Sequence, residues 1–387
     1  MPKRLYFPII KTREAELKGI SFLDEKIKDK ILPTFELTRP RPYTTGKGEE
    51  KRTSHKDVEL QIGKIFEVYG KRPFILDITE DRNLHNPQMS RLTNSADGYS
   101  EWCDFVERDP LVDYVVPALQ VDTKQLSDTL AEFKRLGSGF KTLSLTVDFF
   151  DYKEEYGSEK RFAVHNRTVN KNIFPVIDFA LKNIGAAELL VTLNLGYIPH
   201  RDSETYFSTI ENKIKEMQGQ YSSFKKRERY KIIMAMSSFP SYVLAAAKGR
   251  ECDTIPCLEN VFLLPLCKKH EFLIGDYASI HPVKYPVGGG GWVPRIDYLS
   301  SDGKNYVYCR NETTDEQNGY ITSARAVLKR PDYSPLHGTI GARAIDAAAI
   351  GELEGRSPAF WIAVRMEQFI TQKIISLKKD DIPYLEL

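Results

Sequence analysis

No apolar run in this chain approaches the roughly 20 residues that a helix needs to cross a bilayer, and the opening stretch MPKRLYFPIIKTREAEL turns charged too early for a secretory signal. A cytoplasmic protein with no membrane attachment is expected. Cysteine is scarce: the five present (Cys103, Cys252, Cys257, Cys267, Cys309) are an odd number, which argues against a secreted disulfide scaffold and fits reduced cytosolic thiols. Neither sign of charge dominates. With 55 Lys and Arg against 53 Asp and Glu, any nucleic-acid surface has to be a local patch. The GxGxxG, GxxxxGK[ST], GxSxG and HExxH patterns are all missing, as are the histidines of most zinc hydrolase or glycerophosphodiesterase barrels, so those classes drop out. Cys252, Cys257, Cys267 and His270 are zinc-type ligands, but their spacing matches no standard zinc pattern and ordinary thiols are the simpler reading.

What is present is globular: 41% hydrophobic residues, 28% charged residues, 20 Tyr and 20 Phe. The length suits a barrel of roughly 250 residues plus a further unit of about 100. Eight short β-rich runs recur along the chain: 5–12, 30–38, 72–79, 113–121, 140–149, 187–196, 230–239 and 271–280. Several are near-continuous apolar runs, as in strands covered on both faces. Between many of them lie amphipathic helical stretches such as KDVELQIGKIFEVYG and SETYFSTIENKIKEMQGQY. Strands alternating with helices force parallel pairing with crossovers. The fold expected is α/β, a TIM-like (β/α)8 barrel over residues 1–285, with a C-terminal hairpin-plus-helices extension, 286–387, packed on it. The extension opens with a four-glycine run, continues as a hairpin around SSDGKN, and ends in Ala-rich and Trp361-containing helices.

In such a barrel the C-terminal strand ends build one shared face. Here those ends carry Lys11, Glu36, Asp77, Gln120, Asp148, Asn194, Ser237 and Asp276. Burying a carboxylate costs several kcal/mol unless it is paired, so such a ring is a satisfied network, a set of strand exits into water, or a site. As a site, Lys11, Glu36, Asp77, Asp148 and Asp276 are the candidate catalytic residues. Gln120, Asn194, Ser237 and two arginines flanking the hairpin, Arg295 and Arg310, are the candidate ligand contacts. The carboxylates are hard oxygen donors of the kind that hold Mg²⁺ or Mn²⁺. Two loops, 38–56 with its basic side chains and Tyr43, and 151–172 with mixed charge, are long enough to reach over the mouth; basic loops with aromatics suit phosphates and bases, but solvated loops look the same.

Several stretches resemble the beta family, proteins named after a beta protein of T-even phages: YFPIIKTREAEL, ILPTFELTRPR, FILDIT, SSFP, GDYASIHP, WVPRIDYL, YVYCRN and SPAFWIAVRMEQFITQKI. The resemblance runs from end to end and is most specific at GDYASIHP and at the opening Tyr-x-Pro-Ile-x-Lys. It implies a prokaryotic or phage origin, a barrel-like fold, and a place in anti-phage defence or phage–host conflict beside a partner protein encoded nearby. It implies no particular reaction. Lys11, Glu36, Asp77, Asp276 and Arg295 match the family's recurrent polar positions. A His-His pair of relatives is replaced in the last helix, around Met366, Glu367 and Gln368. Three functions stay open: binding or processing of a nucleotide or nucleic acid at the strand-end face, a scaffold or sensor that docks a partner through the extension and Trp361, and a metal-dependent phosphodiesterase or nuclease.

Overall fold

Each of the eight β-rich runs contains a strand, and in the computed structural model these pair into one parallel sheet. They are β1 Phe7–Lys11, β2 Thr34–Leu37, β3 Phe74–Ile78, β4 Val115–Pro117, β5 Thr142–Asp148, β6 Glu188–Tyr197, β7 Tyr230–Ser237 and β8 Leu273–Asp276. The structure describes residues 3–45, 52–54, 56–121, 125–153, 164–220, 229–241, 251–283, 293–311, 316–379 and 382–386. The glycine run at 288–291 and parts of both long loops, 46–51 and 154–163, lie outside these residues. The pairing order is β4-β3-β2-β1-β8-β7-β6-β5. The two end strands meet at a parallel bridge, Ala118–Ser144, where Leu119 N donates to Ser144 O at 2.7 Å. The sheet is therefore nearly closed and barrel-like.

Alternation along each strand sends every second side chain inward. The lowest inward layer is apolar: Phe7, Leu32, Ile75, Val116, Leu190, Ile233 and Leu273. Ile9, Ala235 and Tyr277 pack above it. The alternate residues, among them Ile10, Phe35, Leu76, Leu145, Val191, Met234 and Ile274, point outward into the large core beneath the helices. Gly275 is required where β8 meets β1, because a Cβ there would lie 2.6 Å from the Phe7 carbonyl oxygen. Leu385 joins the lowest layer, and Leu385–Glu386 pairs antiparallel with Lys3–Arg4, so both terminal segments cover the barrel floor.

Helix α1, Glu14–Phe22, follows β1, and α2, Leu130–Gly139, precedes β5. The extension begins with an antiparallel hairpin, β9 Arg295–Leu299 and β10 Asn305–Arg310, and continues with α3 Glu316–Leu328, α4 Ile340–Ala349 and α5 Pro358–Leu377. Gly19 of α1 lets α5 come close, since a Cβ there would sit 2.9 Å from Met366 Cβ. Ala344, Ala348 and Ile345 of α4 form a second core with Trp361, Tyr298 and Val307. Trp361, expected as an anchor for a partner, is 4% exposed and stacks on Tyr320 at 5.0 Å, so its ring belongs to this core.

Several strands escaped the sequence reading, among them antiparallel pairs at the two long loops, Tyr43–Thr45 with Arg52–Ser54 and Phe150–Lys153 with Val164–Val169. Another, Cys252–Pro256, pairs with β10 and completes a three-stranded sheet, placing Cys252 directly opposite Cys309. These two are joined in a disulfide with their Cα atoms 4.1 Å apart, which corrects the expectation that all five cysteines are reduced. A count and a spacing cannot reveal two cysteines that a sheet brings together across 57 residues. Cys103, Cys257 and Cys267 are free and buried.

Candidate functional site

Above the apolar layers, the last inward positions of six strands are polar: Lys11, Glu36, Asp77, Gln120, Asp148 and Asn194. They form a connected layer. Lys11 Nζ bonds Glu36 Oε2 at 2.5 Å. Asp77 accepts at Oδ1 from Gln120 Nε2 at 3.2 Å and from the Ile78 amide at 2.7 Å, and at Oδ2 from Thr146 Oγ1 at 2.9 Å. Asn194 Nδ2 donates to Asp148 Oδ1 at 2.8 Å, and Asn194 Oδ1 accepts from Tyr277 OH at 2.9 Å. The Tyr277 ring centroid lies 5.6 Å from Lys11 Nζ, which closes the circle.

Too many carboxyls crowd this layer for all of them to ionise. Burial, and then the neighbouring Glu36, push Asp77 up to about 6 despite its three donors. Glu80, on the turn after β3, reaches over the mouth and hydrogen-bonds Asp148. Desolvation of its carboxyl by the crowded mouth, and then Asp77 and Glu36, raise Glu80, although the residue as a whole is exposed; burial and then Glu80 raise Asp148 well above its ordinary value. Two carboxyls can share a hydrogen bond only if one holds a proton, so a pair placed in this way can serve as proton donor and acceptor. Such a pair suits general acid–base work on a ligand in the mouth.

Three buried glutamates fix the strand ends from outside the layer. Glu16 Oε2 on α1 accepts from the Lys11 amide at 2.7 Å, and Glu132 Oε1 on α2 accepts from the Gln120 amide at 2.8 Å. Glu259 Oε1 accepts from the Ser238 amide at 2.7 Å. Each is almost fully buried. Burial pushes Glu132 well above its ordinary value, and its Oε2 has no hydrogen-bond partner.

The remaining candidates take no part in these hydrogen bonds. Asp276 has the outward parity of Ile274 and sits behind the sheet, accepting from Tyr6 OH and from the Ala278 amide at 2.7 Å and lying 3.5 Å from Lys373 Nζ of α5. The inward residue at this strand end is Tyr277. Ser237 continues the inward parity of Ile233 and Ala235, but it is fully buried and its Oγ accepts from the Phe239 amide at 3.1 Å. Arg295 and Arg310 are register partners on β9 and β10. Arg295 Nε lies 2.7 Å from Asp297 Oδ1, while Arg365 of α5, which the sequence reading overlooked, bonds Asp297 Oδ2 at 2.5 Å. Glu367 is no substitute for a mouth histidine: its carboxylate accepts from the Ile340 and Gly341 amides at the start of α4, at 2.8 and 2.6 Å.

As to metals, Glu36 is engaged by Lys11, and Asp77 by three donors. Among the described residues no three His, Cys, Asp or Glu side chains are grouped to hold an ion, so no step is derived through Mg²⁺ or Mn²⁺. The zinc-type quartet is dispersed, with Cys252 in the disulfide, Cys257 beside Glu259 and His270 near Gln218. No helix among the described residues is long and apolar enough to cross a membrane.

Fold and site together define an α/β protein with a nearly closed eight-stranded parallel sheet and a polar, carboxyl-rich layer at its strand ends. The chain belongs to the Beta protein family, whose model matches residues 6–374. It is 27% identical over 372 residues to Protein beta of Enterobacteria phage P4, a match covering 95% of this chain and 92% of that protein. This relative comes from P4, which corrects the T-even attribution. No solved structure matches the chain.

Proposed function

We propose that this protein acts in phage–host conflict, together with a protein partner, as a TIM-type (β/α)8 barrel whose strand-end face binds a nucleoside-type ligand by its base and sugar. The observation that carries this reading is the convergence of Lys11, Glu36, Asp77, Gln120, Asp148 and Asn194, from six different strands, into one polar layer of hydrogen-bonded groups with Glu80 and Tyr277. Carboxylates accept from hydroxyls and exocyclic amines, and amide side chains both donate and accept, which is the complement of a nucleobase edge and a ribose diol. Four carboxyls against one lysine disfavour a phosphate inside the layer itself. The proton shared by Glu80 and Asp148 is the group available for chemistry on that ligand. We take the barrel, 1–285, and the extension, 286–387, as one functional unit, because α5 packs directly on α1 and reaches Asp276 through Lys373.

The test is calorimetric titration of the full chain with a panel of nucleosides, paired with a phage-plating assay in the native host. Glu36→Gln with Asp77→Asn preserves shape while removing charge, and it is expected to abolish both binding and protection. Unchanged binding and plating in a folded double variant would remove this reading.

A further inference from the structure

The strand-end face has a second, oppositely charged half. Arg365 and Arg295 both address the single carboxylate of Asp297, and neither is paired with another carboxylate among the described residues. Two guanidinium groups on one carboxylate leave one positive charge over. Arg365 and Asp297 are almost wholly buried, while the Arg295 side chain keeps 26% of its exposure. The buried Arg365 is paired with Asp297, so the surplus charge falls on the part-exposed Arg295, where an anion from solvent can meet it. Glu259 and Asp276 have other partners: Glu259 holds Ser238 and Asp276 faces Lys373, eight residues along α5 and thus roughly 12 Å up the helix axis.

The position of this cluster relates it to the mouth. Arg365 Nε donates to Ser279 Oγ at 3.2 Å, two residues beyond Tyr277, and its guanidinium lies 4.0 Å above the ring of Phe239, two residues beyond Ser237. Arg295 lies over the same ring at 6.0 Å. The arginines therefore stand over the ends of β7 and β8, whereas the carboxyls come from β2, β3, β5 and the turn after β3. One run of contacts joins the halves, from Asp148 through Asn194 to Tyr277, then across the Ala278–Ser279 turn to Arg365 and Asp297. Ala278 and Ser279 hold φ of 47° and 62°, a left-handed conformation that costs a non-glycine residue about 1 kcal/mol or more and tends to persist where a site demands it. The Phe239 ring and the bond to Asp297 hold the Arg365 guanidinium in a set orientation, with Arg295 paired to the same carboxylate; planar forks of this kind suit a tetrahedral oxyanion.

We propose that this arginine half is the seat of the phosphate of a nucleoside monophosphate whose base and sugar occupy the carboxyl–amide half. The inference rests on the nucleoside reading above and adds the phosphate to it. One surplus charge matches one phosphate better than a chain of them.

The test is calorimetry on the full chain with matched ribonucleosides, their 5′-monophosphates and inorganic phosphate. The monophosphate is expected to bind at least about tenfold more tightly than its nucleoside, as charge-assisted bonds to one phosphate allow. Arg295→Gln should remove most of that advantage and leave nucleoside affinity as it was. The wild-type protein supplies a variant-free measure: the advantage should shrink severalfold between about 50 and 500 mM salt, while nucleoside binding stays level. Nucleosides binding as tightly as their monophosphates, with no salt dependence, would overturn the phosphate seat and leave the nucleoside reading standing. Failure of both ligand classes to bind would overturn the nucleoside reading and this inference with it.

Discussion

Glu132 offers the sharpest test of how the mouth is held. Its side chain is fully buried on α2, one oxygen accepts from the Gln120 amide, and the other has no partner. Burial raises this carboxyl well above its ordinary range, which favours the neutral form, so on this account Gln120 is held by an acid and not an anion. Glu132→Gln keeps the accepting oxygen and the shape, and it should change stability by less than about 1 kcal/mol at low pH. Glu132→Ala strands a buried amide and opens a cavity, for about 3–5 kcal/mol. The pH dependence separates acid from anion. Because the folded pKa is raised, the folded state holds a proton that the unfolded state releases above its ordinary carboxyl range, and wild-type stability falls as pH rises between the two values. That slope is about 1.4 kcal/mol per pH unit. Glu132→Gln lacks it, so its stability relative to wild type should rise as pH increases above the ordinary carboxyl range. Asp77, Asp148 and Asp276 contribute slopes of the same sign, but they are common to both proteins and cancel in the difference. Urea unfolding at increasing pH measures it. A difference flat with pH, or a Gln variant as unstable as the Ala variant, would refute the neutral-acid account.

Two further outcomes are expected. Gly275→Ala should cost about 1–3 kcal/mol or more in urea unfolding, since its methyl group would press on the Phe7 carbonyl and part β8 from β1; a neutral result would mean that the two strands separate freely. Reducing Cys252–Cys309, or replacing both with serine, should cost about 4 kcal/mol, the chain-entropy value for a loop of 57 residues, and identical guanidinium midpoints with and without reductant would show that the strand pairing alone sets this sheet.

The barrel-like sheet was legible because its strands are covered on both faces, so each appears as a compact apolar run whatever its neighbours. The same alternation that builds the layers makes Lys11, Glu36, Asp77, Gln120, Asp148 and Asn194 readable as strand-end residues. It also explains Asp276: counted in steps of two from Leu273 and Gly275, the inward residue is Tyr277, and the aspartate faces α5. Glu80 had no periodic signal to announce it, being on a turn, and Arg365 looks like the solvent edge of an amphipathic helix until α5 is seen to be covered by the barrel on one side and α4 on the other. Pairings between distant segments, Cys252 with Cys309 and Arg365 with Asp297, leave no local mark at all.

The antiparallel pairing of Lys3–Arg4 with Leu385–Glu386 has a practical corollary. Both terminal segments emerge together on the floor, at the opposite end of the barrel from the carboxyl-rich layer. A tether, label or fused body attached at either end therefore hangs from the far pole of the molecule, and a sensor surface loaded through such a tether presents every copy with its mouth toward the solution.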